Sequence, residues 1–481
     1  LILALLLAYG FEFVNGFHDT ANAVATVIYT HSLPPWVAVV WSGCWNLLGV
    51  LLSSGAVAFT IIALLPVELV LNVGSHAGFA MVFALLVSAI TWNLGTWYLG
   101  LPASSSHTLI GSIVGVGLAN SVLAKGSEFG DGVNWGKVQD TLMALIVSPI
   151  VGFVFAGLLL LALKMVVKNP ALYTSPEGPK PPPPWIRALL IFTCTGVSFF
   201  HGSNDGQKGM GLVMLILIGI VPTVYAVNLG LPAAQVTQIE QTGAKVQPAL
   251  DKLAGGSASV SHETATAELS QFIKANGKQT PQTLPSLAAL NTEVTKDLGT
   301  HTTMSDIPEN ERGAFRSDTY LVGETIGKLD KKKLLPPDVA PDLKGYKSEL
   351  EGVTKFIPTW VKVCTALALG LGTMIGWKRI VVTVGEKIGK SHLTYGQGAC
   401  AELVAMATIA LADNFHLPVS TTHILSSGVA GTMAANRSGL QAETLRNILL
   451  AWVLTLPVCV LLGSMLFAFG LRLVDVLVPV K

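Results

Sequence analysis

The chain has 481 residues, of which 51% are hydrophobic and only 12% charged, and its net charge is +1. Ordinary soluble domains carry about twice that charged fraction, so the composition suits lipid. The near-zero balance offers no basic footprint for nucleic acid, and no nucleic-acid partner is expected. Five cysteines (Cys44, Cys194, Cys364, Cys400 and Cys459) stand singly, with no CxxC pair and no Cys/His cluster, so no disulfide framework, resident metal or cofactor is expected.

A membrane span needs about 20 mainly apolar residues to cross about 30 Å of hydrocarbon. In chain order the candidates are 1–29 (interrupted), 36–65, 77–99, 102–122 and 138–163. The opening run has no A-x-A-like cleavage site ahead of Glu12, Asn15 and Asp19, so it reads as a span whose start lies upstream rather than as a signal peptide. A polar joint at 168–184 contains four consecutive prolines, Pro181 to Pro184. Further candidates follow at 185–227 (interrupted), 357–377, 395–411, 418–435 and 448–474. Between them, residues 229–356 hold 30 of the 59 charges, 16 acidic and 14 basic, and apolar runs there stay short. That segment is expected to be a soluble, partly helical insert. The organisation is thus a first membrane unit (1–165), a linker (166–185), the start of a second unit (186–228), the insert (229–356) and the rest of the second unit (357–481).

The two units repeat. Leu101-Pro102-Ala103-Ser104-Ser105-Ser106-His107 recurs 316 residues later as Leu417-Pro418-Val419-Ser420-Thr421-Thr422-His423. Gly16-Phe17-His18-Asp19 recurs 186 residues later as Gly202-Ser203-Asn204-Asp205, and a break in the helix is expected at both. The offsets differ by 130 residues, close to the length of the insert lying between the two later motifs. One duplication and one insertion therefore explain both spacings. With an odd number of crossings per unit, the second copy enters the bilayer upside down. The fold class is then an all-α membrane protein of two inverted repeats, with broken helices and helix starts meeting near the bilayer midplane, plus the insert.

The motifs carry chemistry of opposite sign. Proline suits a first helical turn, Ser and Thr cap exposed amides, and a helix start inside the membrane is a ready anion site. Ser104, Ser105 and Ser106, facing Ser420, Thr421 and Thr422, would supply donors around one tetrahedral oxyanion. Single Ser and Thr residues often only back-bond or pack helices in membranes; the paired recurrence favours the site. Asp19 and Asp205 lie within apolar segments, where a carboxylate marks function. With freed carbonyls and neighbouring Asn they suit a hard cation or a proton. Lys208 stands where the first copy has Asn22, as a fixed substitute for a bound cation, a direct anion contact or an ion-pair partner of Asp205 or Asp19. His107 and His423 follow the hydroxyl runs and suit either proton carriage or internal hydrogen bonding. Glu12, Asn15, Asn93 and Glu402 also lie in apolar stretches and suit a pathway lining, while Asp413 and Asn414 are placed to face water. Gly385-Glu386-Lys387-Ile388-Gly389-Lys390-Ser391 has one residue too few between its glycines for a phosphate loop, so no ATP-driven motor is visible and 378–390 reads as an interfacial helix.

At these residues the chain resembles the inorganic phosphate transporter (PiT) family and its bacterial low-affinity Pit branch. Gly16-Phe17-His18-Asp19-Thr20-Ala21-Asn22-Ala23, the related run from His201 to Gly211, and the two Pro-x-Ser-Ser/Thr-Ser/Thr-His blocks carry the likeness, which reaches all but the insert. The resemblance implies an importer, not an enzyme, that binds inorganic phosphate at Ser104, Ser105, Ser106, Ser420, Thr421 and Thr422. It implies coupling-ion positions at Asp19, Asn22, Asn204 and Asp205, and a homodimer in the plasma membrane, the bacterial inner membrane. Sodium-driven relatives have Asn where this chain has Lys208, which favours proton symport of phosphate or of a neutral divalent metal–phosphate complex, with arsenate also carried. A sulfate or other oxyanion permease is the alternative. An intramembrane Ser/His hydrolase is disfavoured, because Ser106 and His107, like Thr422 and His423, are immediate neighbours that do not face each other on a helix. A receptor or regulatory role is the third reading, resting on the insert alone.

Overall fold

The computed structural model describes residues 1–19, 21–65, 75–123, 128–131, 133–176, 178–255 and 260–477, and among these it is helical with no β-strand. The first unit runs α1 (Ile2–Asp19), α2 (Ala21–Tyr29), α3 (Pro35–Leu52), α4 (Ala56–Ile62), α5 (His76–Tyr98), α6 (Ser105–Leu123) and α7 (Trp135–Val166). After the polyproline joint comes α8 (Pro184–Ile220). The insert contributes α9 (Ala233–Leu253), α10 (His262–Lys274), α11 (Thr283–Thr300), α12 (Arg312–Lys331) and α13 (Ala340–Thr354). The chain then completes α14 (Thr359–Met374), α15 (Lys378–Glu386), α16 (Tyr395–Asn414), α17 (Thr421–Ala435) and α18 (Ala442–Leu477). Proline opens α3 and α8, where its missing N–H costs nothing. Among the described residues α3, α5, α6, α7, α8, α16 and α18 are long and apolar enough to cross a membrane, seven in all. The count is eight if α13 and α14, bent by 75° from each other, form one span.

Helices before the polyproline joint pack against helices after it. α6 packs along α18 while α17 packs along α7; α1 packs along α14 while α8 packs along α3. Small residues make these crossings close, as expected where lipid supplies no hydrophobic drive between helices. A Cβ on Gly16 would overlap the Leu369 carbonyl oxygen of α14, and one on Gly202 would overlap the Asn46 carbonyl oxygen of α3. Gly115 meets the Val460 carbonyl and Gly431 meets that of Phe153 in the same way.

Two expectations change here. The expected break at Gly202-Ser203-Asn204-Asp205 is absent: α8 runs unbroken through it and ends at Ile220. Gly202 serves close approach to α3, not unwinding; in the first copy Gly16-Phe17-His18-Asp19 is helical as well, and Thr20 after it lies outside the described residues. The candidate span 36–65 is also two helices. It is divided at Ser53–Gly55, where Gly55 takes a left-handed φ of 85° and the Ser53 hydroxyl donates to the Val50 carbonyl at 2.8 Å.

Helices α9 to α13 have a core of their own, including Ile239, Phe272, Leu290, Val322, Tyr346 and Leu350. Two buried arginines fasten this bundle to its neighbours. Arg312 donates to the Thr223 carbonyl at 2.5 Å, and Arg316 to the carbonyls of Ala226 at 3.0 Å and Thr354 at 2.7 Å, tying the entering and leaving chain together.

The α3–α8 crossing gives a direct test. Gly202→Val forces a side chain into backbone, an overpacking that typically costs about 1–3 kcal/mol or more, and should lower the unfolding temperature in detergent by several degrees. Gly10→Ala, where a Cβ meets nothing within 4 Å, should leave it unchanged. Equal midpoints for Gly202→Val and the parent chain would refute the close-packing role.

Candidate substrate-binding site

The heptapeptide repeats form two helix starts that face each other. Each begins as extended backbone at its Leu-Pro pair and turns helical at Ser105 or Thr421. The preceding serine caps the helix: Ser104 Oγ accepts from the His107 amide at 3.2 Å, and Ser420 Oγ from the His423 amide at 3.1 Å. All six hydroxyl residues are at most 2% exposed, so two positive helix ends point into a dry interior.

Asp19 of α1 lies between them. Ser105 Oγ of α6 donates to Asp19 Oδ2 at 3.1 Å, and Thr422 Oγ1 of α17 donates to Asp19 Oδ1. One carboxylate thereby gathers a donor from each unit. Ser106 Oγ donates to the Val419 carbonyl at 2.8 Å, joining the two motifs directly. Thr421 Oγ1 is buried and has no hydrogen-bond partner among the described residues.

The second carboxylate is held from α8. Lys208 Nζ lies 2.8 Å from Asp205 Oδ1 and donates to Ser106 Oγ at 2.5 Å. Of the three roles open to Lys208, the structure realises the ion pair with Asp205 and adds a bond to a hydroxyl of the first motif. His201 lies one turn before Asp205, with Nε2 at 3.5 Å from Asp205 Oδ2 and 3.8 Å from Asp19 Oδ2. Its Nδ1 is 2.6 Å from Asn46 Oδ1. Asn46 Nδ2 donates to Ser42 and Thr373, which points the amide oxygen at the ring and makes Nδ1 the donor. Nε2 therefore faces the two carboxylates. Asp19, His201 and Asp205 together present ligand atoms within 4.8 Å of one another, close enough to hold one small cation. His18 adds a contact to Asp19 Oδ1 at 3.3 Å and is itself steadied by Thr96 at 3.2 Å.

Other sequence candidates fall at varying distance from this centre. Asn204 straddles Pro418, donating to the Leu417 carbonyl at 3.2 Å and accepting from the Val419 amide at 3.4 Å, so it holds the approach to α17. The side chain of Asn22 lies outside the described residues. The rings of His107 and His423 face each other at 4.6 Å, and His423 stacks on Trp452, whose indole donates to the Pro102 carbonyl at 2.9 Å. Glu12 is fully buried against Gly209, with both oxygens unpartnered among the described residues. Asn15 and Asn93 are likewise buried and unpartnered there. Glu402 sits apart, buried on α16 and accepting from Thr193 of α8. Asn414 is exposed, but Asp413 is bound by Ser203 at 2.6 Å and Gln207 at 2.8 Å. His201, Asn46, Ser203 and Gln207 were not singled out from sequence. The i,i+4 spacing of His201 and Asp205 would have paired them on one face, had α8 been read as continuous.

Residues 15–463 match the model of a phosphate transporter family. The chain is 43% identical to the low-affinity inorganic phosphate transporter PitA of Escherichia coli K12, over 98% of this chain and 97% of that protein. It is 40% identical to PitB of the same strain, over the same shares. Among solved structures it resembles a sodium-dependent phosphate transporter, with a TM-score of 0.53 at 19% identity over 98% of this chain and 99% of that one, a likeness of fold. With its long apolar helices, the chain is a multi-pass membrane carrier rather than an enzyme and belongs to the phosphate transporter family, in its low-affinity Pit branch.

Proposed function

We propose that this chain imports inorganic phosphate across the plasma membrane by proton symport, holding the anion between the starts of α6 and α17. The observation that carries the reading is the double grip on Asp19 by Ser105 and Thr422. A carboxylate here occupies donors that an oxyanion would need, and the vacant Thr421 hydroxyl marks where another ligand oxygen would bond.

The same grip supplies a coupling rule. An ionised Asp19 about 4 Å from phosphate would repel it by about 4 kcal/mol per unit charge at an effective dielectric of about 20, roughly a thousandfold in affinity. A proton delivered to the Asp19–His201–Asp205 cluster removes that repulsion and weakens Asp19 as an acceptor. Ser105 and Thr422 are then free to turn toward phosphate, which they bind with Thr421, Ser106 and the two helix ends. Loss of the proton on the other side restores Asp19 and expels the anion. Lys208 keeps Asp205 neutralised throughout, so one exchangeable charge remains in the pair. Glu12 and the facing His107 and His423 rings lie along the approaches as further proton or gating groups.

Two units entering the bilayer in opposite senses would place the helix starts on either side of the midplane and give alternating access by rocking one against the other. The interlocked crossings of α6 with α18 and α17 with α7 support that arrangement. Arsenate, with the same shape and charge, is carried by the same donors. A neutral metal–phosphate complex fits a site that offers both carboxylates and hydroxyls. The working form is a homodimer.

Uptake by proteoliposomes, with pH, sodium and magnesium gradients imposed separately, tests the coupling. Accumulation should follow the pH gradient, and tenfold sulfate should compete weakly. Asp19→Asn should abolish gradient-driven accumulation yet keep phosphate exchange; accumulation that still follows the pH gradient would remove Asp19 from the mechanism. Ser105→Ala and Thr422→Ala should each raise the phosphate dissociation constant about 5- to 150-fold, the effect of losing a hydrogen bond worth about 1–3 kcal/mol to a charged group. Unchanged affinity in both would place the phosphate elsewhere.

A further inference from the structure

A second charged cavity lies between the insert and the membrane units. It has a volume of about 760 Å³ and is walled by six lysines, Lys137 of α7 and Lys328, Lys331, Lys332, Lys347 and Lys355 of the insert. The carboxylates in its wall are Asp140, Glu324 and Glu351. Six positive and three negative charges give +3, against +1 for the whole chain, so the remainder of the chain sums to −2. The positive charge is concentrated here.

Its pairing is incomplete. Lys331 pairs with Asp140, Lys347 with Glu351 at 2.5 Å, and Lys355 with Glu351 at 2.7 Å and Glu324 at 3.3 Å. Lys137, Lys328 and Lys332 have no carboxylate at ion-pair distance among the described residues. Lys328 reaches only amide oxygens, those of Asn276 at 3.1 Å and Asn134 at 3.4 Å. Burial pushes its ammonium down to about 8, with Lys332, Lys331 and Lys137 adding to the effect and Glu324 opposing it.

The cavity also touches the approach to the anion site. Phe415, His416 and Leu417 line it, and Leu417 begins the second heptapeptide, three residues before the cap Ser420. Thr60 of α4 donates to the His416 carbonyl at 3.0 Å, and Asn204 holds the Leu417 carbonyl, so this lip is fixed both to the cavity wall and to α8. A phosphate in the cavity would stand at the back of the loop that opens α17.

We propose that this chamber is an electrostatic antechamber for inorganic phosphate, in which insert lysines collect the anion and exchange it with the hydroxyls at the start of α17. The inference rests on the reading of the two helix starts as the phosphate site. A low-dielectric cleft lined by one sign of charge focuses its field and raises the local concentration of the opposite ion. The benefit falls on half-saturation at the insert-bearing face, not on the maximal rate, and salt screens it.

The test uses the full chain in proteoliposomes, sorted by whether external protease reaches the insert, with phosphate supplied to one face at a time. Lys137, Lys328 and Lys332 are replaced together by Gln, and in a second variant together by Arg. At about 0.01 M salt, where the Debye length is about 30 Å, the Gln variant should need about tenfold more phosphate for half-saturation at the insert face. That difference should vanish at about 1 M salt, where the Debye length is about 3 Å. The Arg variant should match the parent chain, and half-saturation at the opposite face should not move. Half-saturation unchanged at low salt would overturn the antechamber, as would an equal, salt-independent loss in both variants. A parent chain that carries no phosphate would instead overturn the reading beneath it.

Discussion

One buried carboxylate organises the centre of this protein. Asp19 is 2% exposed, far from water, and it survives there because donors arrive from both units: Ser105 from α6 and Thr422 from α17, with His18 and His201 beside them. A buried charge is costly unless it is paired and hydrogen-bonded. The two helix starts supply those bonds, and their positive ends add a favourable field. The same donors are the chemistry that recognises an oxyanion. Under the proposed function, stability of the resting arrangement and affinity for substrate draw on one set of hydroxyls, and neutralising Asp19 releases them together.

That arrangement needs the two units to be registered to within about an ångström, and the helix crossings provide the register. Gly16 against α14 and Gly202 against α3 bring backbones into direct contact on either side of the carboxylates, while Gly115 and Gly431 do so behind the helix starts. Backbone-to-backbone contact leaves no flexible side chain to absorb a shift, so motion of one element is passed to its partner. Because each crossing joins one unit to the other, neither unit can hold its half of the site alone.

Much of the centre was legible in the sequence, because its residues come in local runs that occur twice. The heptapeptides, Asp19 and Asp205 could be read as a pair of pairs, and the insert as a change in composition. The roles of other residues depend on contacts between distant parts of the chain and leave no local trace. Asn46 fixes the tautomer of His201 from 155 positions away. The glycine at 202 resembles a helix breaker in isolation, and only the presence of α3 against it shows that it is a packing residue. Asn204, a coupling-ion position by the family resemblance, also engages the backbone around Pro418, which its motif does not reveal. The near-balanced charge of residues 229–356 conceals where the lysines converge.

Lys208 is where the two copies of the sequence motif differ in charge. Two identical carboxylate sites facing one anion would each require a mobile cation, and losing either would expel the substrate. Here Asp205 has a covalently tethered ammonium at 2.8 Å, which also bonds Ser106 of the opposite motif. Among the described residues, Asp19 has hydroxyls and two imidazoles around it. The pair is thus asymmetric in charge although its scaffold is repeated. Under the proposed cycle the tethered charge holds one side of the site ready at all times, so occupancy depends on a single titrating centre. A fixed cation strengthens anion binding in every state, so release must come from restoring the Asp19 charge. Such a centre would respond to a proton gradient, because only one of its two carboxylates is free to change.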